Sequence, residues 1–164
     1  MDWYYPVLSG VLAGAAGRRR LAGGWERFVM SGAGTRCVHD RPWVTTAETS
    51  ECAIAHLAAG EDHRALDLFS STQALRADDG SYYTGVVLPE GVHFPGGQGV
   101  QSPGGERSTY SAAAVLLAAD ALSATTPASR LFVPQDPQGR QGRRSTRNDP
   151  VAETSTKPSS RARQ

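Results

Sequence analysis

Residues 45–59 and 108–123 are helical stretches built mostly from small side chains, and no other feature constrains the fold as much. Small side chains let helices pack closely against their neighbours, so both stretches predict inner, buried helices. A third stretch, 6–16, has the same character, with Pro6 suited to a first helical turn and Gly17 to a stop. Striped segments separate them. In 18–30, Leu21, Trp25, Phe28 and Val29 fall at i, i+4, i+7 and i+8, and Arg19, Glu26 and Arg27 lie elsewhere. In 61–76, Ala65, Leu68, Phe69, Thr72 and Leu75 form one face. The chain therefore predicts an all-α fold, with inner helices 6–16, 45–59 and 108–123 alternating with outer helices 18–30 and 61–76. Helix pairs of this kind close their core only against neighbouring pairs, so the reading is a partial α/α ring of about two and a half hairpins with long loops.

The joins carry their own signals. Thr45-Thr46-Ala47-Glu48 reads as a capping box, and Gly60 as the stop of the helix it opens. Ser108 or Thr109 caps the last helix, and Thr126-Pro127 ends it. Asp78-Asp79-Gly80 is a tight turn that closes one repeat before Ser81-Tyr82-Tyr83 opens the next. Short extended pieces are expected at 36–38 and 86–88. The stretch 89–105 holds six Gly and three Pro in seventeen residues and predicts a loop. The pair Gly23-Gly24 is the awkward point, because each glycine inside a helix costs about 1 kcal/mol against Ala.

Composition divides the chain at about residue 133. From 134 to 164 there is one large aliphatic residue, Val151, and no aromatic, which is too little to offset the entropy of ordering. That tail has seven Lys or Arg against three acids, leaving ten bases and thirteen acids for the rest. The expectation is a domain at 1–133 and a disordered basic tail at 134–164. No aromatic residue interleaves with the tail arginines, so no specific nucleic-acid partner is expected. No run reaches the roughly 18 apolar residues of a membrane span. The start lacks a basic n-region, and the default is a cytoplasmic protein. Cys37 and Cys52 give no disulfide framework. Gly-Gly-Gln-Gly at 96–99 follows no strong strand and opens no helix, so it is not a dinucleotide fingerprint. No P-loop and no Gly-x-Ser-x-Gly occur, and no cofactor is indicated.

Arg64-Ala65, Phe69, Gln73 and Gly80-Ser81-Tyr82 resemble the QW-type repeat of the terpene cyclase and prenyltransferase α/α-toroid proteins. Tyr82 stands where that repeat has Trp, and the Gln-to-Gly gap is long. The chain also resembles the C-terminal part of actinobacterial proteins named prenyltransferase-like. The resemblance covers about residues 1–133 and implies a transferase or cyclase acting on an isoprenoid or other hydrophobic substrate, in a fragment of a longer enzyme. It departs from the family in having neither the Asp-x-Asp-Asp motif, since residue 76 is Arg, nor an aspartate-rich diphosphate-binding motif. Two alternatives stand beside it: a carbohydrate-active six-hairpin glycosidase-like protein, and a truncated, non-catalytic toroid.

In such a ring the loops before the inner helices surround one mouth of the cavity. That mouth would gather Asp40, Glu48 and Asp79 as candidate catalytic carboxylates. Trp3, Tyr4, Tyr5, His39, Trp43, Tyr82, Tyr83 and Tyr110 are candidate substrate-binding residues, able to stack on sugars or stabilise a carbocation. Each has a plainer role: capping for Glu48, a turn for Asp79, packing for Trp3, Trp43 and Tyr110. Cys37, His39 and Asp40 lack a second ligand pair, so no metal is expected. His56 reads as a hydrogen-bonded core histidine. An incomplete ring leaves apolar helix faces uncovered, so self-association is expected.

Overall fold

The computed structural model describes residues 3–88, 100–101 and 105–133. The tail expected at 134–164, the Gly-Gly-Gln-Gly at 96–99 and most of the loop 89–105 lie outside the described residues. The rest is mainly helical. In order come α1 (Tyr5–Leu8), α2 (Gly14–Phe28), β1 (Val29–Met30), β2 (Gly34–Thr35), β3 (Trp43–Thr45), α3 (Thr46–Ala58) and α4 (Asp62–Ser71). A 3-10 turn (Thr72–Leu75), β4 (Gly85–Val87), β5 (Val100–Gln101), α5 (Thr109–Ser123) and a second 3-10 turn (Pro127–Arg130) follow. The strands are short and antiparallel. β1 pairs with β2, and β4 lies between β3 and β5, with Val44 opposite Val86.

The fold is organised around α3. From Thr46 to Leu57 every residue except Glu51 is buried, and α1, α4 and α5 all pack against it. Small side chains permit this, because helix separation is set by the side chains at the contact. On one side Cys52, Ala53, Ala55 and Ala59 meet Trp3, Tyr4, Val7, Leu21 and Leu68. On another, Ile54 and Leu57 meet Ala65, Ala118, Ala121 and Val133. Each large aliphatic side chain fully buried here contributes about 1.5–3 kcal/mol. The hydroxyls of α3 are satisfied locally: Thr49 donates to the Thr45 carbonyl (2.6 Å) and Ser50 to that of Thr46 (2.8 Å).

The stretch 6–16, read from sequence as a third inner helix, is not one. After a single turn the chain reaches Gly10 at φ +78°, a conformation costly to any side chain, and the helical hydrogen bonding ends. Leu12 N–H folds back to the Pro6 carbonyl (2.8 Å), Val11 is left 78% exposed, and a new helix starts at Gly14. Gly17, expected to stop a helix, is buried inside α2. The Gly23-Gly24 pair is explained in part by close approach. The Trp3 indole occupies the space beside Gly24, where a Cβ would lie 2.1 Å from its Nε1, and that nitrogen donates to the Arg20 carbonyl (2.9 Å).

The capping box at Thr45–Glu48 is also not closed as expected. The Thr45 hydroxyl donates to the Glu48 carboxylate and accepts from no helix N–H. A neighbouring segment does the capping: Thr46 N–H donates to the Thr84 carbonyl (3.0 Å) and the Thr46 hydroxyl to that of Tyr83 (2.6 Å). Thr84 N–H in turn reaches the Glu106 carbonyl (2.8 Å), so the segments entering α3 and α5 are tied at one end of the bundle.

Candidate active site

That shared end holds the most concentrated chemistry. Glu51 stands one turn into α3 and is its one residue not fully buried before Ala58. Tyr4 OH donates to its Oε2 (2.8 Å), and Tyr110 OH donates to its Oε1. Tyr5 completes the group, its ring 5.0 Å from that of Tyr4 in an edge-on arrangement and its hydroxyl bonded to Tyr110. All three phenols are held in the protonated, donating form. For Tyr4 the cause is burial and then the Glu51 charge; for Tyr5 it is burial first; for Tyr110 it is the hydrogen bond to Glu51 first.

Glu48 lies one turn earlier on the helix and is 5% exposed. It accepts from the Thr45 hydroxyl and from the Cys37 thiol (3.6 Å). Burial, and then the charge of Glu48, pushes the Cys37 thiol up, so it remains a protonated donor. Cys52 is fully buried and its thiol is pushed up to about 12, which makes it inert. The arrangement is a half-exposed carboxylate among tyrosines, with a second, buried carboxylate behind it.

Of the residues singled out by sequence, Tyr4, Tyr5 and Tyr110 converge here and Glu48 lies next to them. The others do not join them. Trp3 is buried in the core behind Tyr4, its ring 6.0 Å from that of Tyr4 edge-on and stacked on Phe28 at 5.3 Å. His39 and Asp40 are exposed, the His39 ring 6.2 Å from Phe28. Trp43 lies in β3 opposite Val87. Asp79, Tyr82 and Tyr83 form a separate surface cluster. There Asp79 accepts from Ser81 N–H (3.0 Å) and pairs with Arg107 (2.6 Å), whose guanidinium stands 5.0 Å over the Tyr83 ring. The Ser81 hydroxyl, more than any other group, holds the Asp79 carboxyl below its ordinary range. This is the geometry of an Asx turn.

Glu51 is the residue that sequence reasoning missed. A signal existed: it follows Glu48 by three residues, which puts both carboxylates on one helix face. A charged side chain in the most buried helix of a chain calls for a partner or a function. Among the described residues no group of three or more His, Cys, Asp and Glu side chains could hold a metal ion. No helix among them is long and apolar enough to cross a membrane.

No family model matches the chain. Over 143 residues, 87% of its length, it is 48% identical to a protein of Mycolicibacterium hassiacum named MMP endo-(1,4)-3-O-methyl-alpha-D-mannosidase. The match spans 37% of that relative's length. This likeness overturns the terpene cyclase and prenyltransferase reading and the isoprenoid substrate that came with it. The residues behind that reading have local work instead. Arg64 stands 4.7 Å over the Trp25 ring and pairs with Glu61, Ala65 fills the core, and Gln73 donates to Tyr82 OH (3.1 Å). These contacts tie α4 to α2 and Gln73 to Tyr82 beyond the Asp79-Gly80 turn, whatever the chemistry of the protein.

Proposed function

We propose that this chain forms part of a carbohydrate-active glycosidase that cleaves α-(1,4)-linked mannose-type glycans, with Glu51 as the carboxylate that moves the proton. The observation that carries the reading is the half-exposed Glu51 held between the hydroxyls of Tyr4 and Tyr110. Glycoside cleavage needs a positioned carboxyl group beside the glycosidic oxygen or the attacking water. Tyrosine rings give sugars apolar faces to pack on, and their hydroxyls fix orientation. The likeness to the mannosidase supports the substrate class. Glu48 acts as a positioning residue whose buried charge lies behind the reacting group.

The same reading takes α3 and α5 as neighbouring inner helices of an α/α toroid, with α4 outside, and residues 1–133 as the folded unit. The tie between the segments entering α3 and α5 supports a common mouth. The direct test is release of new reducing ends from α-(1,4)-linked mannooligosaccharides by the full chain. Glu51→Gln should lower that rate at least about 10²-fold. A full chain that neither cleaves nor binds these oligosaccharides, or a Glu51→Gln variant as active as wild type, overturns the proposal.

A further inference from the structure

Trp3 also lines an open groove of about 630 Å³, within the usual range for ligand sites, whose walls share no residue with the tyrosine cluster. Its walls include Arg19, Arg20, Gly23, Arg27, Phe28 and His39, and among the described residues no acidic side chain lines it. Arg19, Gly23 and Arg27 are spaced by four, so two guanidiniums flank a position with no side chain. A Cβ at Gly23 would meet nothing within 4 Å, which makes that position an open notch.

The cations are partly pre-placed. Arg20 Nε donates to the Trp3 carbonyl (3.0 Å), and the Arg27 guanidinium lies 5.5 Å from the Phe28 ring centre. Of the nearby acids among the described residues, Glu26 and Asp40 are both exposed and neither lines the groove. Among the described residues neither Arg19 nor Arg27 has a carboxylate within salt-bridge distance. Arg19 and Arg27 are therefore open to an incoming anion as far as the described residues go, and planar guanidinium forks suit oxyanions.

We propose that this groove binds a small ligand bearing an oxyanion, a sugar-sized phosphate monoester or carboxylate, held by Arg19 and Arg27 across the Gly23 notch. The site is separate from Glu51 and its test does not depend on glycan cleavage. Titration calorimetry on the full chain would use glucose 6-phosphate, glucuronate and neutral glucose. At least one anionic probe should bind and glucose should not; the anion preferred identifies its source. The double variant Arg19→Gln/Arg27→Gln should weaken binding roughly tenfold or more. Gly23→Met should do the same with no change of charge, because it fills the notch and touches no core atom. Arg41→Gln, an exposed arginine outside the groove, should leave affinity unchanged. The proposal is overturned if neither anion binds, if Gly23→Met binds like wild type, or if Arg41→Gln weakens binding as much as the groove variants. Binding of an oligonucleotide or anionic vesicles through these arginines, without binding of either small anion, overturns it too.

Discussion

Helices α3 and α5 are close in composition and far apart in circumstance. Both are rich in Ala and other small side chains and are entered through a Ser or Thr. In α3 almost every side chain from Thr46 to Leu57 is buried, whereas α5 buries Ser111, Ala114, Val115, Ala118 and Ala121 and leaves Leu116 70% exposed. Their ends differ as well. α3 is followed by Gly60 at φ +79°, but α5 by Ala124 at φ +53°, where a side chain is strained. Small side chains show that a helix is able to be central; whether it is central depends on what surrounds it.

The sharpest break between the two helices is chemical. Glu51→Gln should cost about 10²–10⁴-fold in glycan cleavage with little loss of fold, since its side chain is half-exposed, whereas Asp120→Asn on α5 should leave the rate unchanged. Reducing-end assays on the two variants, with circular dichroism to verify folding, check this. The next largest effect is on packing. Ala53→Leu, at a fully buried site on α3, should destabilise by about 1–3 kcal/mol or more, and Ala113→Leu on the exposed face of α5 by no more than about 0.5 kcal/mol. Similar urea midpoints for the two would end the distinction.

A third difference is protonation, since α3 buries a titratable histidine. His56 is fully buried, its Nδ1 2.6 Å from Glu61 Oε2, and its Nε2 has no partner among the described residues. Burial outweighs the Glu61 hydrogen bond and holds the imidazole below its ordinary pKa. The unfolded chain then takes up the proton first. Stability is full above the unfolded value of about 6.5 and declines as pH falls through it, levelling off below the folded pKa. Denaturation midpoints across that range should fall with pH in wild type, with a shallower slope in His56→Gln. Equal slopes would remove His56 as the cause.

The two smallest effects lie on α5. Ala124→Gly relieves the left-handed residue and should stabilise by about 0.5–1 kcal/mol, read as a raised thermal midpoint. Leu116→Glu should change stability by less than about 0.5 kcal/mol while lowering self-association of the wild-type chain in gel filtration. If wild type already elutes as a monomer, the uncovered face of α5 is not an adhesive one.

Much of the helical framework was legible, because helix signals are local. The start of α5 at Ser108, whose hydroxyl accepts from Ser111 N–H (3.1 Å), and the turn at Asp79-Gly80 follow from side-chain chemistry a few residues wide. The stretch 6–16 misled because composition resembling α3 hid the effect of Ser9-Gly10, where a left-handed turn competes with helix continuation. The candidate site was only half legible. Tyr4, Tyr5 and Tyr110 were singled out, but their common partner was not, since nothing near Glu51 in sequence announces tyrosines 47 and 59 residues away.

What the sequence determined by itself is where most of the helices form, because periodicity, caps and glycines act over three or four residues. The tertiary structure alone decided that α3 is central and α5 peripheral, that Trp3 stacks on Phe28 while Tyr4 reaches Glu51, and that Glu51 receives two phenols. Those outcomes depend on which distant surfaces exclude water from one another, and that selection is made only when the helices pack.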